Sequence, residues 1–314
     1  MTFVLTLVVL ALTFPWAAAA ATRRLARVLP PREACWALTA ATLLTAVGTI
    51  AALVGLCHVP FLAALERVPV TRVLEVWPVA VPAACVAALV LLVQAALLIR
   101  RWFQYRSVLK HAWRVAVEGT AHGDLLVLPG NDADAFALPG YRGRGSRIVV
   151  TAGMLRALKP GEREVLLAHE RAHLSGRHHL LVAAVDLSAT VHPALRSLRE
   201  LLGFHVERWA DEAAAAAVGS RKATAAAIAR AALAGSRNRN TGGGYPLLSV
   251  TSGPVPQRVE ALLVPEPVAP GAGVRRVGAV GMAAAVAFSA LASVASAYGL
   301  HEYVEYAAIA VRGS

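Results

Sequence analysis

Cysteine, aromatic and charged residues are all scarce in this 314-residue chain. The three cysteines, Cys35, Cys57 and Cys85, lie in or at the edge of apolar runs and never form a CxxC pair. That spacing excludes a disulfide framework and a cysteine zinc cluster, and suits small buried thiols. Aromatics make up 6% of the chain, and no basic stretch is interleaved with stacking rings. Direct nucleic-acid binding is therefore not expected. Charged residues make up 16%, with 19 acidic against 31 basic. What fills the space is Ala, Val and Leu: 57% of residues are hydrophobic and the mean hydropathy is +0.56. Soluble domains use roughly half apolar residues or fewer, so the composition points to membrane helices.

Four runs are long enough to cross a bilayer, which takes about 20 helical residues. They cover 3–21, 35–57, 77–99 and 277–300. The first lacks the positive start of a signal peptide, and its arginines follow the apolar run, so it reads as a retained span. Arg23, Arg24, Arg27 and Arg32 follow the first span, and Arg100, Arg101, Arg106, Lys110 and Arg114 follow the third. Arg275 and Arg276 precede the fourth. The positive-inside rule then puts these loops in the cytoplasm and both termini outside a multi-pass cell membrane.

Residues 1–99 thus read as a three-span region, 100–273 as a cytoplasmic domain, and 274–314 as the fourth span with a short outer tail. In the domain, the segment after Arg100 continues the third helix outward. "AFAL" and "RIVV" read as β-strands joined by a turn-rich stretch. "KPGEREVLLAHERAHLSGRHHLLVAAVDL" reads as one helix with Pro160 near its start. "HVERWADEAAAAAVGSRKATAAAIARAALAG" reads as two helices parted near Gly219. The fold class expected is mainly α: a four-span helical membrane protein whose cytoplasmic α+β domain contains a small sheet or hairpin.

The chemistry concentrates in "HERAH". On a helix, His169 and His173 sit one turn apart on the same face. Glu170 is turned about 100° away, off a shared ion but within reach of a water beside it. HExxH therefore supplies two zinc ligands and a general base. A catalytic zinc takes three protein ligands. Glu207, in "HVERWADEAAA", is the favoured third, with His205 as its rival. Asp211, four residues beyond Glu207, can hydrogen-bond a ligand histidine and fix its tautomer. His178 and His179 read as a helix-end cap or surface pair, and His192 as solvated or structural. Either "AFAL" or "RIVV" can be an edge strand that pairs with an extended peptide, or both can be sheet interior.

The ordered set "DAFALPG…RIVVTAGML", "EREVLLAHERAHLSGRH", "ERWADEAA" and "VPQRVEALL" resembles the integral-membrane zinc peptidases typified by the BlaR/MecR antirepressors. A wider kinship runs to HtpX-like and prenyl-protein-processing membrane proteases. The resemblance implies one Zn2+ held by His169, His173 and Glu207, with Glu170 catalytic. It matches Asp211 to the second helix's carboxylate, and Arg258 to a recurring arginine of unassigned role. The short tail after the fourth span carries no SxxK nucleophile, so a beta-lactam sensor is not expected. The function expected is a zinc metalloendopeptidase at the cytoplasmic face, acting in regulated proteolysis such as repressor inactivation or self-cleavage. The alternatives are HtpX-like quality control and a non-catalytic signalling scaffold. Expected partners are a peptide or protein substrate (a transcriptional repressor being one option), the lipid bilayer, and a second copy of the chain.

Overall fold

A computed structural model describes the backbone of residues 2–65, 80–239 and 254–264, with isolated positions besides, and the side chains of 13–58, 81–236 and 254–264. The fourth predicted span, most of the tail and the loops around Arg67 and Arg275 lie outside the described residues.

Three long helices open the chain: α1 (Thr2–Ala26), α2 (Pro31–Leu65) and α3 (Ala80–Ala116). Two helices within the described residues, Pro31–His58 and Val81–Ala116, are long and apolar enough to cross a membrane. Thr39, Thr42, Thr45 and Thr49 lie on the buried side of α2, and each hydroxyl donates to the carbonyl four residues back. Polar side chains are thereby satisfied within their own helix, as an apolar surround demands. α3 continues unbroken past its arginines, as expected from sequence. Its end is anchored where the Trp113 indole N–H donates to the Pro139 carbonyl, 2.9 Å.

Four strands follow: β1 (Thr120–His122), β2 (Leu125–Leu128), β3 (Ala135–Leu138) and β4 (Arg147–Thr151). The sheet order is β1-β2-β4-β3, with β2 and β4 parallel and the other pairs antiparallel. The predicted hairpin is β3–β4, in register Ala137 to Ile148. β4 is the buried interior strand and β3 an edge. Ile148, Val149 and Val150 are fully buried, as β-branched residues of a covered strand should be. Thr151 ends β4 and caps the short α4 (Ala152–Ala157), its Oγ1 accepting from the Met154 N–H at 3.2 Å. Gly153 packs so close to the Asn131 carbonyl that a Cβ there would stand 2.2 Å from it.

α5 (Pro160–Ser175) starts at Pro160, with Glu162 reaching back to the Lys159 N–H. The single helix predicted across "SGRHH" is two helices. The chain turns at Gly176 and at Arg177, which sits in the left-handed region at φ 49°. A Cβ on Gly176 would stand 2.4 Å from the His178 ring, so a side chain there would clash with the packed imidazole. α6 (His178–Val191), a 3-10 turn (Pro193–Arg196) and α7 (Ser197–Val218) then form a hairpin. Gly219, at φ 71°, closes α7 in a left-handed cap, and α8 (Arg221–Arg239) follows. α9 (Val255–Leu263) packs on α8 and α7.

The largest core joins the long helices to this hairpin. Ala19, Cys35, Leu38 and Ala46 share one cluster with Leu181, Val185, Leu195 and Leu202. A separate cluster packs the end of α3 on the sheet through Trp113, Phe136 and Val149.

Candidate metal centre

α5 and α7 pack against each other, and their facing sides carry the ionisable groups. Helical spacing puts His169 and His173 on one side of α5, and Glu207 and Asp211 on one side of α7. His169 Nε2 and His173 Nε2 are 3.1 Å apart. The Glu207 carboxylate lies 3.6 Å from each, Oε2 toward His169 and Oε1 toward His173. These three residues each offer one ligand atom, all within 4.8 Å of one another. Donors bound at about 2.0–2.1 Å in a tetrahedral set stand about 3.3 Å apart. The observed spacing fits one shared ion.

The surrounding groups fix which nitrogens are free to ligate. Asp211 Oδ1 lies 3.0 Å from His169 Nδ1. The two atoms are close, though not aligned as a linear hydrogen bond. An ionised carboxylate only accepts, so the proton belongs on Nδ1, and His169 Nε2 presents its lone pair. His173 Nδ1 lies 2.9 Å from His178 Nδ1. If His173 donates there, its Nε2 also presents a lone pair. Two lone pairs and a carboxylate then face one point, an arrangement that repels itself unless a cation sits between them.

Charge counting agrees. Arg258, from α9, donates to Asp211 through Nε at 2.8 Å and Nη2 at 2.7 Å, and its Nη1 lies 2.8 Å from Glu207. All three side chains are buried. Two carboxylates against one guanidinium leave one negative charge, which a proton on His169 or a bound cation can balance. Burial alone would lower the His169 pKa, but Asp211 and Glu207 outweigh it and push the imidazole up to about 10. Burial opposes ionisation of Glu207 too, yet His169, His173 and Arg258 hold its carboxyl well below the usual range. Asp211 is likewise held low, against its burial, by Arg258 and His169. Burial brings His173 down to about 4 and His178 down to about 3.

Glu170 is buried beside the cluster. Burial raises its carboxyl to about 7, with His169 acting the other way. The backbone N–H of Ala137 in edge strand β3 also acts on it, favouring the ionised form. A carboxyl poised near neutrality is suited to general-base work.

Residues 106–241 match the family model for Peptidase family M48. That similarity suggests a metallopeptidase domain and is consistent with the wider HtpX-like kinship expected from sequence. No curated protein and no solved structure matches the chain at the threshold applied. The matched M48 segment contains His169, Glu170, His173, Glu207 and Asp211, and stops before Arg258.

The structure thus brings His169, His173, Glu207, Glu170 and Asp211 into one cluster. His205, the rival third ligand, is outside it: the residue is buried, with neither ring nitrogen partnered. His178 is a buried neighbour of His173, tilted on Trp209 at 4.4 Å between ring centroids, rather than a surface residue. Its neighbour His179 is exposed. Sequence reasoning left Arg258 without a role. Its bidentate pairing arises from α9, 47 residues beyond Asp211, and no local spacing announces it.

Proposed function

We propose that this chain is a membrane-embedded zinc endopeptidase working at the cytoplasmic face. The observation that carries this reading is the three-donor cluster with buried Glu170 beside it, inside the segment that matches Peptidase family M48. His169, His173 and Glu207 would hold one Zn2+. Such an ion supplies Lewis acidity, both to a peptide carbonyl and to water. Glu170 receives the proton of the attacking water and passes it to the leaving amine. Asp211 and His178 hold the ligand imidazoles in the tautomers that expose Nε2. Arg258 keeps Glu207 and Asp211 ionised.

Edge strand β3 supports an extended, backbone-read substrate. A peptide adding to its free side would lie beside Glu170, with main-chain hydrogen bonds in place of sequence preference. The arginines that follow the apolar runs of α1 and α3 support a cytoplasmic domain in a four-span chain. On the resemblance to the BlaR/MecR branch, the role is regulated proteolysis, of a transcriptional repressor or of the chain itself. The test is peptide cleavage by the full chain in lipid, with bound zinc measured in parallel. Glu170→Gln is expected to keep zinc and lose cleavage. A zinc-loaded Gln variant with full activity would refute the assignment.

A further inference from the structure

Of the metal donors, Glu207 alone comes from the α6–α7 hairpin, from its upper part, while His169 and His173 come from α5. His178 starts α6 and Glu207 lies at the middle of α7. The lower part turns away from the sheet and packs on α1, α2 and α3.

Two of those helices measure how far down the turn reaches. On α3, Gln94 Nε2 donates to the Val191 carbonyl at 2.9 Å. Gln94 precedes Arg100 and Arg101, the first arginines after the apolar run, by about 9 and 10 Å at 1.5 Å per residue. On α1, the Trp16 ring meets the His192 ring at 5.8 Å between centroids. Trp16 precedes Arg23 by about 10 Å on the same scale. Two independent helices place the turn at the same depth beneath their basic collars.

The segment's chemistry suits that depth. α6 is an apolar helix of 14 residues, too short to span a bilayer but of the length common in re-entrant segments. Its one carboxylate, Asp186, pairs with Arg199 of α7 and lies 4.0 Å from Arg101 of α3, at the level of the collar. From Leu187 to Leu195 no acidic or basic side chain other than His192 occurs. Ser188 and Thr190 donate to carbonyls of their own helix. His192 Nδ1 accepts from the Ala194 N–H, and Gln94 takes the Val191 carbonyl. Non-helical backbone at membrane depth requires such internal partners. Arg196 is exposed, and its stem is long enough to lift the guanidinium toward the collar.

We infer that the α6–α7 turn is a re-entrant segment seated in the cytoplasmic leaflet, with Pro193 and Ser197 facing acyl chains. The inference rests on the membrane reading of α2 and α3. It also sets a height for the chemistry. Asp186 to His178 and Arg199 to Glu207 each rise about 12 Å. The metal donors therefore stand about 12 Å above the collar, and the bonds within reach are those of membrane-proximal segments.

The full chain in phosphatidylcholine–phosphatidylglycerol liposomes, photolabelled by a lipid with an acyl-chain diazirine, tests this directly. Adducts are expected on 187–198 as well as on the exposed Leu92 and Val93 of α3. Adducts on α3 alone would overturn the re-entrant turn and leave the membrane reading standing. Adducts on neither would overturn both. A second measurement uses a spin label at Ser197, with the three native cysteines replaced by Ala. Its oxygen-to-nickel accessibility ratio should match a label at Leu92 and exceed one at Lys222 severalfold. A Ser197 label as nickel-accessible as the Lys222 label would refute the inference.

Discussion

At the upper end of the α6–α7 hairpin, His178, Glu207 and Asp211 are buried among His169, His173 and Arg258. At the lower end, between Leu187 and Leu195, neutral hydrogen bonds and apolar contacts hold the turn. The two ends handle polarity differently. The lower end pairs its polar groups by neutral hydrogen bonds, within α6 and the turn and from Gln94 of α3. The upper end leaves one negative charge beyond Arg258, taken up by a proton on His169 or by a cation in its place. A buried charge without a partner is costly, which makes that residual charge a functional feature rather than a packing detail.

Substitutions at the upper end should act on chemistry, metal binding and stability, and those at the lower end on stability alone. The largest effect is expected at Glu170. Glu170→Gln should lower kcat by about 10²–10⁴ with zinc content unchanged, read by peptide hydrolysis and metal analysis. Arg258→Leu comes next, since it leaves two buried carboxylates facing each other. A loss of about 3–5 kcal/mol is expected, seen in thermal unfolding of the metal-free chain. Arg258→Lys should recover only part of it, because an ammonium cannot make the bidentate contact. Asp211→Asn should weaken zinc binding by about 10–100-fold.

The pH dependence sharpens the same contrast. In the metal-free chain His169 is held up at about 10, so at neutral pH its proton must leave before the metal binds. The protonated form competes with metal below that value. Affinity should therefore rise about tenfold per pH unit between pH 6 and 8, with proton release visible by calorimetry in buffers of different ionisation enthalpy. A flat profile would show that His169 is not a ligand. The smallest effect is expected at the lower end: Gln94→Leu should cost about 1 kcal/mol or less, with zinc affinity unchanged.

Much of this was legible in the residues because helical spacing is local information. His169 and His173 at four apart, and Glu207 and Asp211 at four apart, define two faces before any fold is known. The β3–β4 hairpin was legible from "AFAL" and "RIVV" for the same reason. The break at Gly176 and Arg177 was not, because an apolar periodic run continues on both sides of it. Its cause is the His178 ring packed where a Cβ on Gly176 would be. The role of Arg258 was hidden by its distance along the chain from Asp211. So was the depth of the α6–α7 turn, which rests on Gln94 and Trp16 meeting residues far away in sequence. Composition alone drew a line between membrane and domain at Arg100, whereas the main core crosses it.

The most direct test is metal analysis of the full chain purified in lipid, wild type beside His173→Ala and Glu170→Gln. One equivalent of zinc is predicted in the wild type and in Glu170→Gln, and none in His173→Ala. Undiminished zinc in His173→Ala would contradict the account.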